Sequence, residues 1–205
     1  MKITVYEGGK KQGIPANLEH IIDAVVEKMR ARNPICCLFV EINDNEIVAS
    51  TCGEYIREKV RFSFQSKNGK VDLIQLPPAN LEEEIQQAVT AVSSAAYDPR
   101  VSEKFLDEER GVAVFILVEI IDRGPLGFSA ARGHQERYSL YRLRRGQKPK
   151  LLFSDTAWTG TPECHGRQCS LVGLKVNDGQ IRITHDTSET FSDNFKQEEL
   201  VFDLN

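Results

Sequence analysis

Apolar positions recur along this chain with two periods, and the changes of period mark its elements. Leu18, Ile21, Ile22, Val25, Val26 and Met29 form one helical stripe behind Asn17, a capping residue. Asn33-Pro34 stops that helix, because the residue before a proline avoids helical backbone. ICCLFVEI follows and is apolar almost throughout, the pattern of a strand buried on both faces. Asn43 to Asn45 turn the chain into EIVASTC. Val60, Phe62 and Phe64 then alternate with Arg61, Ser63 and Gln65, and Asn68-Gly69 is a hairpin signal from which VDLIQL returns.

Pro77-Pro78 ends this sheet segment. Asn80 and Glu83 have capping-box spacing, ahead of a helix with Leu81, Ile85, Ala88, Val92 and Ala95 on one face. Asp98-Pro99 predicts the start of a further helix, charged and on the surface, with proline at its first position. GVAVFILVEII reads as a long buried strand. The rest reads as β: QERYSLYRL, PKLLFS, SLVGLKV, QIRITH and ELVFDL, with Asn177-Asp178-Gly179 as a hairpin turn. The expected fold is α+β: a single domain over residues 1–205, mainly antiparallel sheet with about three helices packed on it. A weak sub-boundary falls near residues 77–80.

Two connections are unusually long, DRGPLGFSAARGH (122–134) and DTAWTGTPECHGRQC (155–169). Structureless loops beyond about 12–15 residues are uncommon in compact domains and are usually functional or disordered. Each of these holds Arg, His and Gly, and the second holds the single Trp, which favours ordered binding loops. If the C-terminal strands run up and down as a meander, parity brings both loops and His185 to one rim. That rim carries Arg123, Arg132, His134, Asp155, Trp158, Cys164, His165, Arg167, Cys169 and His185.

Composition narrows the setting. Hydrophobic residues make up 40% and charged residues 27%, as in soluble globular proteins. The net charge of −4 gives no global field toward nucleic acid. No stretch approaches the roughly 20 apolar residues of a membrane span, and MKITVYEGGKK lacks a signal-peptide run. There are five cysteines, an odd count. Cys36 and Cys37 read as small buried hydrophobes. With no secretory signal, this argues for a reducing compartment and places the protein in the cytoplasm.

The candidate chemistry divides three ways. Cys164, His165 and Cys169, completed by His134 or His185, could hold zinc or form a thiolate or redox site. Their spacing, however, is wider than CxxC and no second cysteine pair exists. Residues 132–150 carry seven Lys/Arg against one Glu. Arg137, Tyr138, Tyr141, Arg142, Arg144 and Arg145 would supply phosphate contacts and stacking for nucleic acid. A plainer reading matches this basic strand to the acidic residues 186–205 of the same chain. Trp158 with Arg123, Arg132 and Arg167 has the composition of a protein-interface anchor. Glu41 and Glu119 each interrupt an apolar strand, so each is a buried carboxylate that is paired or functional, or more simply marks a strand end.

No recognised catalytic motif is present. The leading expectation is a non-enzymatic binding or inhibitory protein that engages a protein partner through the two loops. The alternatives are an enzyme or sensor built on the Cys/His site, and nucleic-acid or nucleotide binding by the basic strand.

Overall fold

The computed structural model describes residues 2–6, 18–31, 37–43, 46–51, 59–67, 70–93, 97–122, 134–159, 171–186 and 196–205. The chain forms two compact units, Met1–Gln87 and Ala88–Asn205. The boundary falls inside a helix rather than at Pro77-Pro78.

The first unit is a five-stranded antiparallel sheet, β1 (Lys2–Tyr6), β2 (Cys37–Asn43), β3 (Glu46–Thr51), β4 (Lys59–Lys67) and β5 (Lys70–Gln75), in sequential order. Its first helix, α1 (Glu19–Arg30), lays Ile21, Ile22, Val25 and Met29 on one face of the sheet. There they meet Leu38, Val40, Ile47, Ala49, Val60 and Phe62, all buried. Each of these side chains other than that of Ala49 contributes about 1.5–3 kcal/mol by leaving water. The opposite face is polar. Arg61 grips Glu46 through two bonds of 2.6 and 3.0 Å, which holds the Glu46 carboxyl below its usual range. Lys2 pairs with Glu41 at 3.0 Å. β2 is therefore not buried on both faces: Phe39 is 43% exposed. Nor is Cys37 a free buried hydrophobe, since it is half-buried and disulfide-bonded.

Helix α2 (Leu81–Val92) starts where the capping pair lies. The Glu83 N–H donates to Asn80 Oδ1 at 2.9 Å, and the Glu83 carboxylate reaches back to accept from the Ala79 N–H at 2.9 Å. Burial would raise the Glu83 pKa. The Ala79 N–H and Lys59, whose ammonium lies 2.9 Å away, prevail and lower it.

The second unit is a sandwich of two antiparallel sheets. One has the order β6 (Tyr97–Asp107), β7 (Val112–Asp122), β8 (His134–Arg144), β9 (Lys150–Thr159). The other is β10 (Leu171–Asn177), β11 (Gln180–Asp186), β12 (Gln197–Asp203). Between them Val112, Val114, Ile116, Val118, Tyr138, Leu140 and Ala157 meet Leu171, Ile181, Ile183 and Leu204. At the β10 bulge Gly173 takes φ +70°, and its N–H and that of Leu174 donate to Glu103 of β6 at 2.8 and 2.7 Å. Asp178 and Gly179, both at positive φ, form the β10–β11 turn that the sequence signals.

The α+β expectation, with about three helices packed on one sheet, is corrected. Among the described residues there are two short helices and twelve strands in three antiparallel sheets. The segment after Asp98-Pro99 is strand β6, not a helix. Val101, Glu103 and Phe105 alternate with exposed Ser102, Lys104 and Leu106, which is a period of two. Pro99 sits where an edge strand bulges between Tyr97 and Arg100, a position that needs no ladder N–H. The expected meander is also interrupted, because β9 and β10 belong to different sheets. Residues 155–159, expected in the second loop, form the end of β9.

Candidate functional site

Period-two alternation places the polar site of the second unit. Arg100, Val118, Tyr138 and Asp155 are paired in register across β6, β7, β8 and β9, so they share the inner face of their sheet. Glu136 lies two residues before Tyr138 on the same face and is 2% exposed. The Tyr138 hydroxyl donates to Glu136 Oε2 at 2.6 Å, and Arg100 donates to Glu136 Oε1 at 2.9 Å. Both oxygens of this buried carboxylate are thus satisfied, which offsets the cost of burying a charge.

The facing sheet contributes His185 from β11 and Glu198 from β12, paired in register. His185 Nε2 lies 3.0 Å from Asp155 Oδ2, and Nδ1 lies 2.9 Å from Glu198 Oε1. The Phe153 ring meets the imidazole edge-on, with centroids 5.0 Å apart. Only an imidazolium donates from both nitrogens. Burial works against that charge. The hydrogen bonds that the ring donates to Asp155 and Glu198 outweigh it and raise the His185 pKa.

This network sits at one end of the sandwich. Asp122 pairs with Gln135 and His134 pairs with Thr159, so β7, β8 and β9 share that end of their sheet. Leu171 pairs with His185 and Asp186 with Gln197, so β10, β11 and β12 share the corresponding end of theirs. The His185–Asp155 contact joins the two ends. The strand termini that bound residues 123–133, 160–170 and 187–195 therefore gather around it.

Of the residues singled out in the sequence, Asp155 and His185 are brought together. Arg123, Arg132, Cys164, His165, Arg167 and Cys169 lie outside the described residues. His134 and Trp158 are placed in β8 and β9 by their backbones alone. Among the described residues no group of three His, Cys, Asp or Glu could hold a metal. His185 has both ring nitrogens on carboxylates, so it could ligate zinc only by giving up one of them.

The basic strand does not present its aromatic residues together. Tyr138 is buried inside the sandwich, whereas Tyr141 faces the other way and stacks on Phe115 with centroids 5.4 Å apart. Three of its arginines pair within the chain. Arg137 donates twice to Glu119 Oε2, at 3.0 and 2.8 Å. Arg142 donates to the main-chain oxygens of Asp203 and Asn205, and Arg145 pairs with Glu108. Arg144 is exposed. Glu119 is 1% exposed, so it is the paired carboxylate of the two readings above rather than the mark of a strand end.

Arg100, Glu136 and Glu198 are absent from the set the sequence suggests. Glu136 looked like a lone acid in a basic run, and Glu198 like part of an acidic tail. The usable signal was alternation, which puts Glu136 and Tyr138 on one face. Comparison with protein families, curated proteins and solved structures finds no match to this chain.

Proposed function

We propose that this chain is a non-enzymatic binding protein that engages a protein partner through residues 122–134 and 155–169, at the end of the second unit where β7 and β9 finish and β8 and β10 begin. Trp158 would be the apolar anchor, and Arg123, Arg132 and Arg167 the polar contacts. The observation that carries this reading is the convergence of the strand termini on the Asp155–His185–Glu198 clamp. A sandwich end where the His185–Asp155 contact ties one sheet to the other is a rigid base for binding loops.

Two further observations favour it over its rivals. An imidazole held on both sides by carboxylates has no free nitrogen for general-base work or metal ligation, which weighs against a catalytic or zinc role for His185. The separation of Tyr138 from Tyr141, and the internal pairing of Arg137 and Arg145, weigh against nucleic-acid stacking by β8. No helix among the described residues is long and apolar enough to cross a membrane. The odd cysteine count supports a cytoplasmic location. The Cys37 disulfide weighs on the other side, and cell fractionation decides.

The test is affinity purification with identified partners, comparing the unmodified protein with Trp158→Ala and with the triple variant at Arg123, Arg132 and Arg167. An Ile74→Ser variant on the edge strand of the first unit serves as control. Specific partners should be lost from the first two and kept by the control. Retention of the same partners by Trp158→Ala at unchanged thermal stability would overturn the proposal.

A further inference from the structure

The polar face of the first unit holds a half-open groove of about 480 Å³, lined by Lys2, Thr4, Phe39, Glu41, Ser50, Lys59 and neighbouring side chains. Its floor is built by register. Thr4 pairs with Phe39, Phe39 with Ser50, and Ser50 with Lys59, so one row of side chains crosses four strands on one face. Gln86 of α2 lines the same groove, and Glu83 of α2 holds Lys59 from behind at 2.9 Å. The volume lies in the range of small-molecule sites.

The row is graded in chemistry. At the β4 end, the Lys59 ammonium has three donors, one of which is directed at Glu83, and the Ser50 hydroxyl is its ladder neighbour. In the middle Phe39 offers a ring that is 43% exposed. At the β1 end Lys2 is held by Glu41, which is 43% exposed and repels an anion in the groove, whereas the Glu83 that holds Lys59 is buried and its other oxygen accepts from the Ala79 N–H. An anionic head therefore belongs at Lys59 and Ser50, with an apolar body over Phe39. Strands lie about 4.8 Å apart, so Ser50 is one strand spacing from Phe39 and Lys59 is two, about 10 Å.

We propose that this groove is a binding site for a small organic carboxylate with an apolar body, its head group held by Lys59 and Ser50 and its body by Phe39. The site is independent of the partner surface on the second unit.

The test uses ¹⁵N-labelled full-length protein titrated with 4-phenylbutyrate, 4-phenylbutanol and 4-phenylbutylamine. The carboxylate should shift the backbone amides of Thr4, Phe39, Ser50 and Lys59 saturably. A charge-assisted hydrogen bond makes it bind about tenfold or more tighter than the alcohol, and the amine weakest. Lys59→Met should bring the carboxylate down to the level of the alcohol, and Phe39→Ser should weaken both. Equal binding of the three probes, shifts on another surface, or an unaffected Lys59→Met protein would overturn the proposal. Should Lys59→Met fail to fold because Glu83 loses its partner, the ranking of the three probes on the unmodified protein still decides.

Discussion

His185 of β11 meets Asp155 of β9 at 3.0 Å, so an imidazole from one sheet of the sandwich is tied to a carboxylate of the other. Glu198 holds the second ring nitrogen at 2.9 Å. The contact spans two sheets that share no hydrogen-bonded strand pair among the described residues, at the end where β7, β9 and β11 finish and β8, β10 and β12 begin.

The raised His185 pKa fixes the direction of a pH effect. A group that binds its proton more tightly folded than unfolded stabilises the fold fully below its unfolded value, about pH 6.5. That contribution is lost as pH rises through the folded value. Melting temperature should therefore fall as pH increases from about 6.5, and His185→Gln should flatten this part of the profile. The imidazole resonance of His185 should titrate with a midpoint above the ordinary histidine value. A midpoint at or below it would remove the clamp.

Glu119 and Arg137 form a pair in which the carboxylate is buried and the guanidinium is half-buried. Arg137→Ala leaves that charge without its partner and should destabilise the protein by about 3 kcal/mol in denaturant unfolding. Glu119→Leu combined with Arg137→Met should recover most of the loss, because one oxygen of Glu119 is buried with no hydrogen-bond partner among the described residues even in the native pair. A double variant as unstable as Arg137→Ala would show that the pair is worth more than its desolvation.

Asn80 caps α2 through a 2.9 Å bond to the Glu83 N–H. Asn80→Ala should cost about 1 kcal/mol, whereas Asn80→Asp should be close to neutral. Chemical denaturation of the three proteins side by side measures both.

Cys37 is disulfide-bonded, and the chain has five cysteines. Thiol titration of the unfolded protein without reductant should find at most three free thiols. Cys37→Ser should release its partner and raise the count relative to the disulfide that is lost. Five thiols in freshly isolated protein would show the bond to be absent where the protein is made.

Much of the fold was legible because its signals are local. The Asn80/Glu83 spacing marked the start of α2, and Asp178-Gly179 marked the β10–β11 turn, since each acts within a few residues. Strand β6 was misread for the same reason: Pro99 and a run of charges imitate a helix start, while the bulge that tolerates proline exists only once β7 is alongside. Five residues at the end of β9 resembled loop because Asp155 to Thr159 carry no apolar alternation.

By itself, then, the sequence determined the periods, the turns and the candidate acids and bases. The tertiary structure decided which of them meet. Pairing of Tyr138 with Asp155, and the apposition of β9 to β11 and β12, follow from long-range register and sheet packing, which no window of neighbouring residues encodes. Two acids and a histidine far apart in the chain became one clamp because strand register sets Glu198 beside His185 and sheet packing brings Asp155 to its other ring nitrogen.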